Sequence, residues 1–150
     1  MTSEQVLKQW MDIAGLPTEV YDQTRRICGF NFLNRFDIVV EAPPASEDIF
    51  ISIDIIETAQ LGDLNGIMID CMKLNAYGLE TRGASLGYDE AAKMIILSHR
   101  INAHTLDGQG LSVIVNNLVG VAQSLQDRLK SLNEARKTVS QARGDAVIFS

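Results

Sequence analysis

The sequence predicts an α+β fold: an antiparallel, twisted sheet of about five strands with three helices, in the order α-β-β-β-α-β-β-α. Hydrophobic residues recur at helical spacing in three blocks and alternate with period two in the others, which separates helices from strands. The first three strand-like blocks follow one another directly, so an antiparallel meander is their simplest pairing. With 150 residues, 46% of them hydrophobic and 21% charged, the chain suits one soluble domain with a single core.

Ser3 to Gly15 reads as an amphipathic helix, with Ser3 as N-cap and Val6, Leu7, Trp10, Met11 and Ala14 on one stripe. Gly15 and Pro17 end it. Ile27 to Leu33 alternates, placing Cys28, Phe30 and Phe32 on one face. Asn34-Arg35 is the expected turn into a strand from Phe36 to Ala42, which carries Phe36, Ile38, Val40 and Ala42 on one side. Pro43-Pro44-Ala45-Ser46 breaks the pattern, and Asp48 to Ile56 then aligns Ile49, Ile51, Ile53 and Ile55.

From Gly62 to about Ala76 the spacing is helical again, with Asp63 as N-cap and Leu64, Ile67, Met68, Cys71 and Leu74 as the stripe. Ala84 to Ile101 reads as a hairpin: an arm Ser85–Tyr88, a polar loop Asp89–Ala92 and a return strand Lys93–Ile101. The last helix runs from about Gly108 to Leu132 through Leu111, Ile114, Val115, Leu118, Ala122, Leu125, Leu129 and Leu132. Past Asn133 the pattern weakens. The expected organisation is one domain over residues 1–135 and a flexible tail over 136–150, frayed from Gly144 to Ser150.

The formal net charge of −6 is unevenly placed: residues 1–107 carry 16 acidic and 8 basic groups, and residues 108–150 carry 3 and 5. An acidic body argues against nucleic acid, because phosphate neutralisation needs clustered Lys and Arg. Arg128, Lys130, Arg136 and Lys137 fit a solvated helix end, where cations complement the helix dipole. The apolar runs, such as Met94 to Leu97, are too short for membrane insertion, and the first residues lack a secretory-signal pattern.

No catalytic residue, metal site or cofactor is expected. Cys28 and Cys71 sit among apolar residues as small hydrophobes, without a second ligand at zinc spacing. His99 and His104 have no third ligand in view, and Cys71 beside Asp70 is a poor nucleophile for a Cys–His pair. The acidic pairs Asp54/Glu57 and Asp89/Glu90 are those any acidic protein places in water. Gly108-Gln109-Gly110 lacks the lysine of a phosphate loop and reads as a flexible helix entry.

What remains is apolar surface. Both faces of the first three strands carry large side chains: Phe30, Phe32, Val39, Phe50 and Ile56 against Ile38, Val40, Ile49, Ile51 and Ile53. Part of this surface, with the helix Val6–Ala14, is expected to form a groove for a polypeptide, and a free sheet edge to accept an added strand. The helix Leu64–Leu74, which includes Ile67, has apolar residues to bury on two sides and points to a homodimer contact.

The element order, the stretch Ala84-Ser85-Leu86-Gly87-Tyr88-Asp89 followed by Lys93-Met94-Ile95-Ile96-Leu97, and the first helix closing at Gly15-Leu16-Pro17 carry a family likeness. Over residues 3–132 the chain resembles the class I chaperones of bacterial type III secretion, the Tir-chaperone-like family. The resemblance implies a cytoplasmic bacterial homodimer that binds the N-terminal segment of a secreted effector in extended form, without ATP or any enzyme activity. It would place Val6, Leu7, Trp10, Phe30, Phe32, Ile38 and Val40 in the effector grooves, and Cys71, Leu74, Leu86 and Tyr88 at the dimer interface. An adaptor or regulatory protein of the same fold, binding another protein of the secretion system, is the alternative. The tail past Asn133 and the Arg25-Arg26 entry to the first strand depart from the family pattern.

Overall fold

The computed structural model describes residues 1–148. Its first helix, α1, spans Ser3–Ala14. The N-cap is Thr2, one residue before the expected Ser3. Thr2 Oγ1 accepts from the Gln5 amide at 3.2 Å, and Gln5 Oε1 accepts from the Thr2 amide at 2.8 Å, a reciprocal capping box. Ser3 is buried and donates to the Ser46 carbonyl at 3.0 Å, tying the helix start to the loop after the second long strand. Gly15, at φ 67°, closes the helix in the left-handed region that glycine tolerates best.

The sheet has six strands: β1 Tyr21–Asp22, β2 Ile27–Phe32, β3 Phe36–Glu41, β4 Asp48–Glu57, β5 Ser85–Asp89 and β6 Met94–Asn102. All neighbours are antiparallel, in the order β1-β2-β3-β4-β6-β5. The strand beyond the expected five is β1, whose two residues are too few to show a period. The β2–β3 turn falls one residue earlier than the sequence indicates. Leu33 and Asn34 are both left-handed, and the Arg35 amide donates to the Phe32 carbonyl at 3.0 Å.

Register decides which side chains share a face. Phe30 pairs with Ile38, Ile38 with Ile53, Ile53 with Leu97 and Leu97 with Leu86, so these residues form one row across five strands. Cys28, Val40 and Ile51 form the next row. The expected division, with Phe30 and Phe32 opposite Ile38 and Val40, therefore does not hold. An irregularity between Asp54 and Ile56 lets both Ile55 and Ile56 turn inward. Gln126 relieves that bulge: its Nε2 donates to the Ile55 carbonyl at 2.7 Å, while its Oε1 accepts from Arg35 Nε at 2.7 Å.

Two further helices, α2 (Leu64–Asn75) and α3 (Gly108–Ile148), join α1 over this apolar face. Asp63 caps α2 by accepting from the Gly66 amide at 3.0 Å, as expected. α3 buries Leu111, Val115, Leu118, Ala122, Leu125 and Leu129. The opposite sheet face has Ser52 paired with Ser98 and leaves Val39 and Phe50 exposed. Gly108 is a close approach, not a flexible entry. Its amide donates to Gln9 Oε1 at 2.6 Å, and a Cβ there would lie 2.7 Å from Gln9 Cγ.

The sequence pattern ends α3 near Leu132, but the helix continues to Ile148, through the stretch expected as a tail. Ala, Arg, Lys, Gln and Glu propagate a nucleated helix well without an apolar stripe. Phe149 and Ser150, within the stretch expected to fray, lie outside the described residues.

Candidate functional site

Two regions at opposite ends of the sheet leave apolar side chains and polar backbone available. The first lies where α1 meets β2. Of the expected groove residues, Val6, Leu7, Trp10, Ile38 and Val40 are fully buried and belong to the core of this chain. Phe30 and Phe32 are half-buried and packed against that core. The Trp10 and Phe30 rings lie 5.9 Å apart at 46°, a tilted aromatic contact that holds Phe30 at the rim. Ile13, one turn beyond Trp10, and Leu33, beside Phe32, are exposed, Leu33 at 74%.

β1 pairs only with Ile27 and Cys28, so the outer edge of β2 from Gly29 to Phe32 has no strand partner among the described residues. The Ala42 amide donates to the Arg26 carbonyl, which fixes the alternation along β2. Cys28, Phe30 and Phe32 bond toward β3, and Gly29 and Asn31 point their amide and carbonyl outward. Gly29 carries no side chain to hinder an approaching backbone.

The second region is the outer side of α2 with the adjoining edge of β5. Ile67, Cys71, Leu74 and Leu86, expected at a dimer interface, are buried within the chain, whereas Tyr88 is exposed. The exposed apolar residues of α2 are others: Ile69 at 53% and Met72 at 73%, with Leu64 less so. Tyr77 and Leu79, just past the helix, are 96% and 79% exposed. The signal for Ile69 and Met72 was present in the sequence as the apolar residues left over once the inner stripe is assigned. Nothing local marks Tyr77 or Leu79.

The two sheet edges differ. On β5, Asn75 Oδ1 accepts from the Leu86 amide at 2.7 Å and Asn75 Nδ2 donates to the Leu86 carbonyl at 2.9 Å. The carboxamide thus occupies both outward groups of Leu86 as a neighbouring strand would. The β5 edge is thus capped at Leu86, where the β2 edge from Gly29 to Phe32 is open.

Among the described residues, burial is the main cause of the shifts at the cysteines and at Asp54. Burial pushes the Cys28 thiol up to about 11. Burial, helped by the Asp70 charge, pushes Cys71 up to about 11 as well. Such thiols are poor nucleophiles. Burial also raises Asp54, with Asp37 and Asp89 adding repulsion. His104 Nε2 lies 2.8 Å from Glu47 Oε2, and His99 sits across from Ile51 in the sheet. Among the described residues no group of three His, Cys, Asp or Glu side chains is placed to hold a metal ion, and no helix is long and apolar enough to cross a membrane.

A family model, that of the Tir chaperone protein (CesT) family, matches residues 5–126. The chain belongs to that family. The solved structures it resembles include the ExsC–ExsE complex, at 20% identity and TM-score 0.71 over 84% of this chain and 92% of that one. The HopA1–SchA chaperone–effector complex matches at 14% identity and TM-score 0.61, over 81% of this chain and 91% of that one. The Yersinia pestis type III secretion chaperone SycH, solved with a fragment of YscM2, matches at 15% and 0.59, over 83% and 99%. At these identities the likeness establishes the fold. No curated protein matches the chain by sequence. The family stretch of this CesT-family chain includes both exposed regions and stops before the last part of α3.

Proposed function

We propose that this chain is a cytoplasmic, non-enzymatic type III secretion chaperone that binds the N-terminal segment of a secreted effector in extended form and pairs with a second copy of itself. The observation that carries it is the open β2 edge bordered by Phe30, Phe32 and Leu33, on a fold shared with chaperone–effector complexes. An extended segment adding to that edge would bond to Gly29 and Asn31. Its apolar side chains would cover the half-buried aromatic rim. Strand addition belongs on β2, whose edge is open over a longer run than that of β5, where Asn75 caps Leu86. The acidic body contributes solubility and steering, and the apolar rim contributes most of the affinity. Self-association belongs to the outer side of α2, through Ile69, Met72, Tyr77 and Leu79, with Tyr88 nearby.

The test is calorimetric titration with the N-terminal segment of the secreted protein encoded beside this chain. Asn31→Pro removes an outward amide without disturbing the β3 ladder, and Phe32→Asp charges the rim. Each should weaken binding tenfold or more in a chain that stays folded, with the unfolding midpoint near the parent's in Asn31→Pro and modestly lower in Phe32→Asp, since Phe32 packs on the core. Undiminished binding in both variants would move the site off β2. Binding to a component of the secretion apparatus in place of an effector would favour the adaptor role.

A further inference from the structure

The last part of α3 lies outside the family-matched stretch, yet two of its side chains reach the start of α2. Asn133, 5% exposed, accepts from the Gly62 amide at 3.0 Å and donates to the Gln60 carbonyl at 3.2 Å, so one carboxamide holds the segment entering α2. One turn on, Arg136 makes a two-bond fork to Asp70, Nε to Oδ2 and Nη2 to Oδ1, both at 3.0 Å. Its remaining Nη1 reaches Asp63 Oδ2 at 3.3 Å. Asp63 is the N-cap of α2 and Asp70 lies nearly two turns further on, so a single guanidinium fixes two points along that helix.

Gly66 is an independent sign of the same arrangement. It sits in the first turn of α2, where alanine would be a better helix former. A Cβ at Gly66 would overlap the Arg136 guanidinium and the Asp63 carboxylate. Glycine at this position is what lets the guanidinium lie against the helix.

We infer that Asn133 and Arg136 are positioning residues for self-association: they set the pose of α2, and with it the presentation of Ile69 and Met72 to a second copy. The inference rests on the outer side of α2 being the association face. The fork is bidentate, so lysine cannot replace arginine in it. Because Asp70 is buried, removing Arg136 alone would leave an unpaired carboxylate and unsettle the fold. The informative variants are Asp70→Leu combined with Arg136→Met, which removes both charges at similar volume, and Gly66→Ala, which displaces the guanidinium without removing it.

Sedimentation equilibrium of the full chain gives the monomer–dimer Kd, and thermal unfolding of the same samples at low concentration reports the fold. The expected result is a Kd raised about tenfold in both variants, with a monomer unfolding midpoint close to the parent's in Asp70→Leu/Arg136→Met and a lowered one in Gly66→Ala, where buried Asp70 keeps its charge but loses its fork. Arg136→Lys should raise the Kd by less than the double variant does. An Ile69→Asp/Met72→Asp arm separates the two ways of failing. If that arm leaves self-association intact, or if the parent chain does not self-associate, the α2 face is wrong and the inference falls with it. If that arm abolishes association while the other two keep the parent Kd, the face stands and the positioning role is overturned.

Discussion

α1 and α2 are both 12 residues long and both capped by a side-chain oxygen, yet their apolar residues are arranged differently. α1 buries Val6, Leu7, Trp10 and Met11 on one side and shows water mostly polar groups, including the Lys8–Glu4 pair at 3.1 Å. Ile13 is its one exposed large apolar residue. α2 buries Ile67, Cys71 and Leu74 and turns Ile69 and Met72 outward as well. A helix that only closes a core needs one stripe. The second stripe of α2 is left exposed in the single chain, as the proposed association face requires.

The two helices should differ most at Trp10. Trp10→Ala should cost about 3–5 kcal/mol, read from urea unfolding, and should take partner binding down with the fold. Next, Ile69→Asp with Met72→Asp should cut self-association about a hundredfold while changing monomer stability by no more than about 0.5 kcal/mol. A loss of several kcal/mol in that monomer would mean that both helices are core elements. Thr2→Ala should cost about 1 kcal/mol through the lost cap, leaving self-association unchanged. Asp63→Ala, the corresponding change on α2, should weaken both, since Asp63 also meets Arg136.

The smallest expected effect concerns the thiols. With Cys28 and Cys71 both near 11, alkylation at mild alkaline pH should run on the order of a hundredfold slower than for a free thiol. The folded chain holds these protons more tightly than the unfolded one. Their contribution to stability is therefore complete below the ordinary value of 9.0 and is lost as pH rises toward 11. A fast-reacting Cys71 would show that the inner side of α2 opens readily.

Each of the longer elements was legible in the sequence because its period is unambiguous over five or more residues. Faces were legible within a strand but not between strands. The side that Phe30 shares with Ile38 follows from a three-residue turn and a left-handed Leu33, which no period reveals. β1 was hidden by its length, and the continuation of α3 by its lack of an apolar stripe. For the site, the expected groove and interface residues are mostly ones that the structure buries within the chain. Strongly apolar residues such as Val6, Leu7 and Val40 attract attention first, and those are the residues the core takes. What remains exposed, such as Ile69, Met72 and Leu33, is less conspicuous in the sequence.

α3 has 41 residues and so extends about 60 Å at 1.5 Å per residue. A compact chain of 150 residues has a radius of gyration of about 15 Å. The rod is therefore longer than the body it crosses, and the molecule should tumble unevenly, faster about the axis of α3 than end over end. Amide bonds of α3 lie along that axis and sense only the slow motion. In a nuclear relaxation experiment they should behave as if they belonged to a heavier protein than the sheet does.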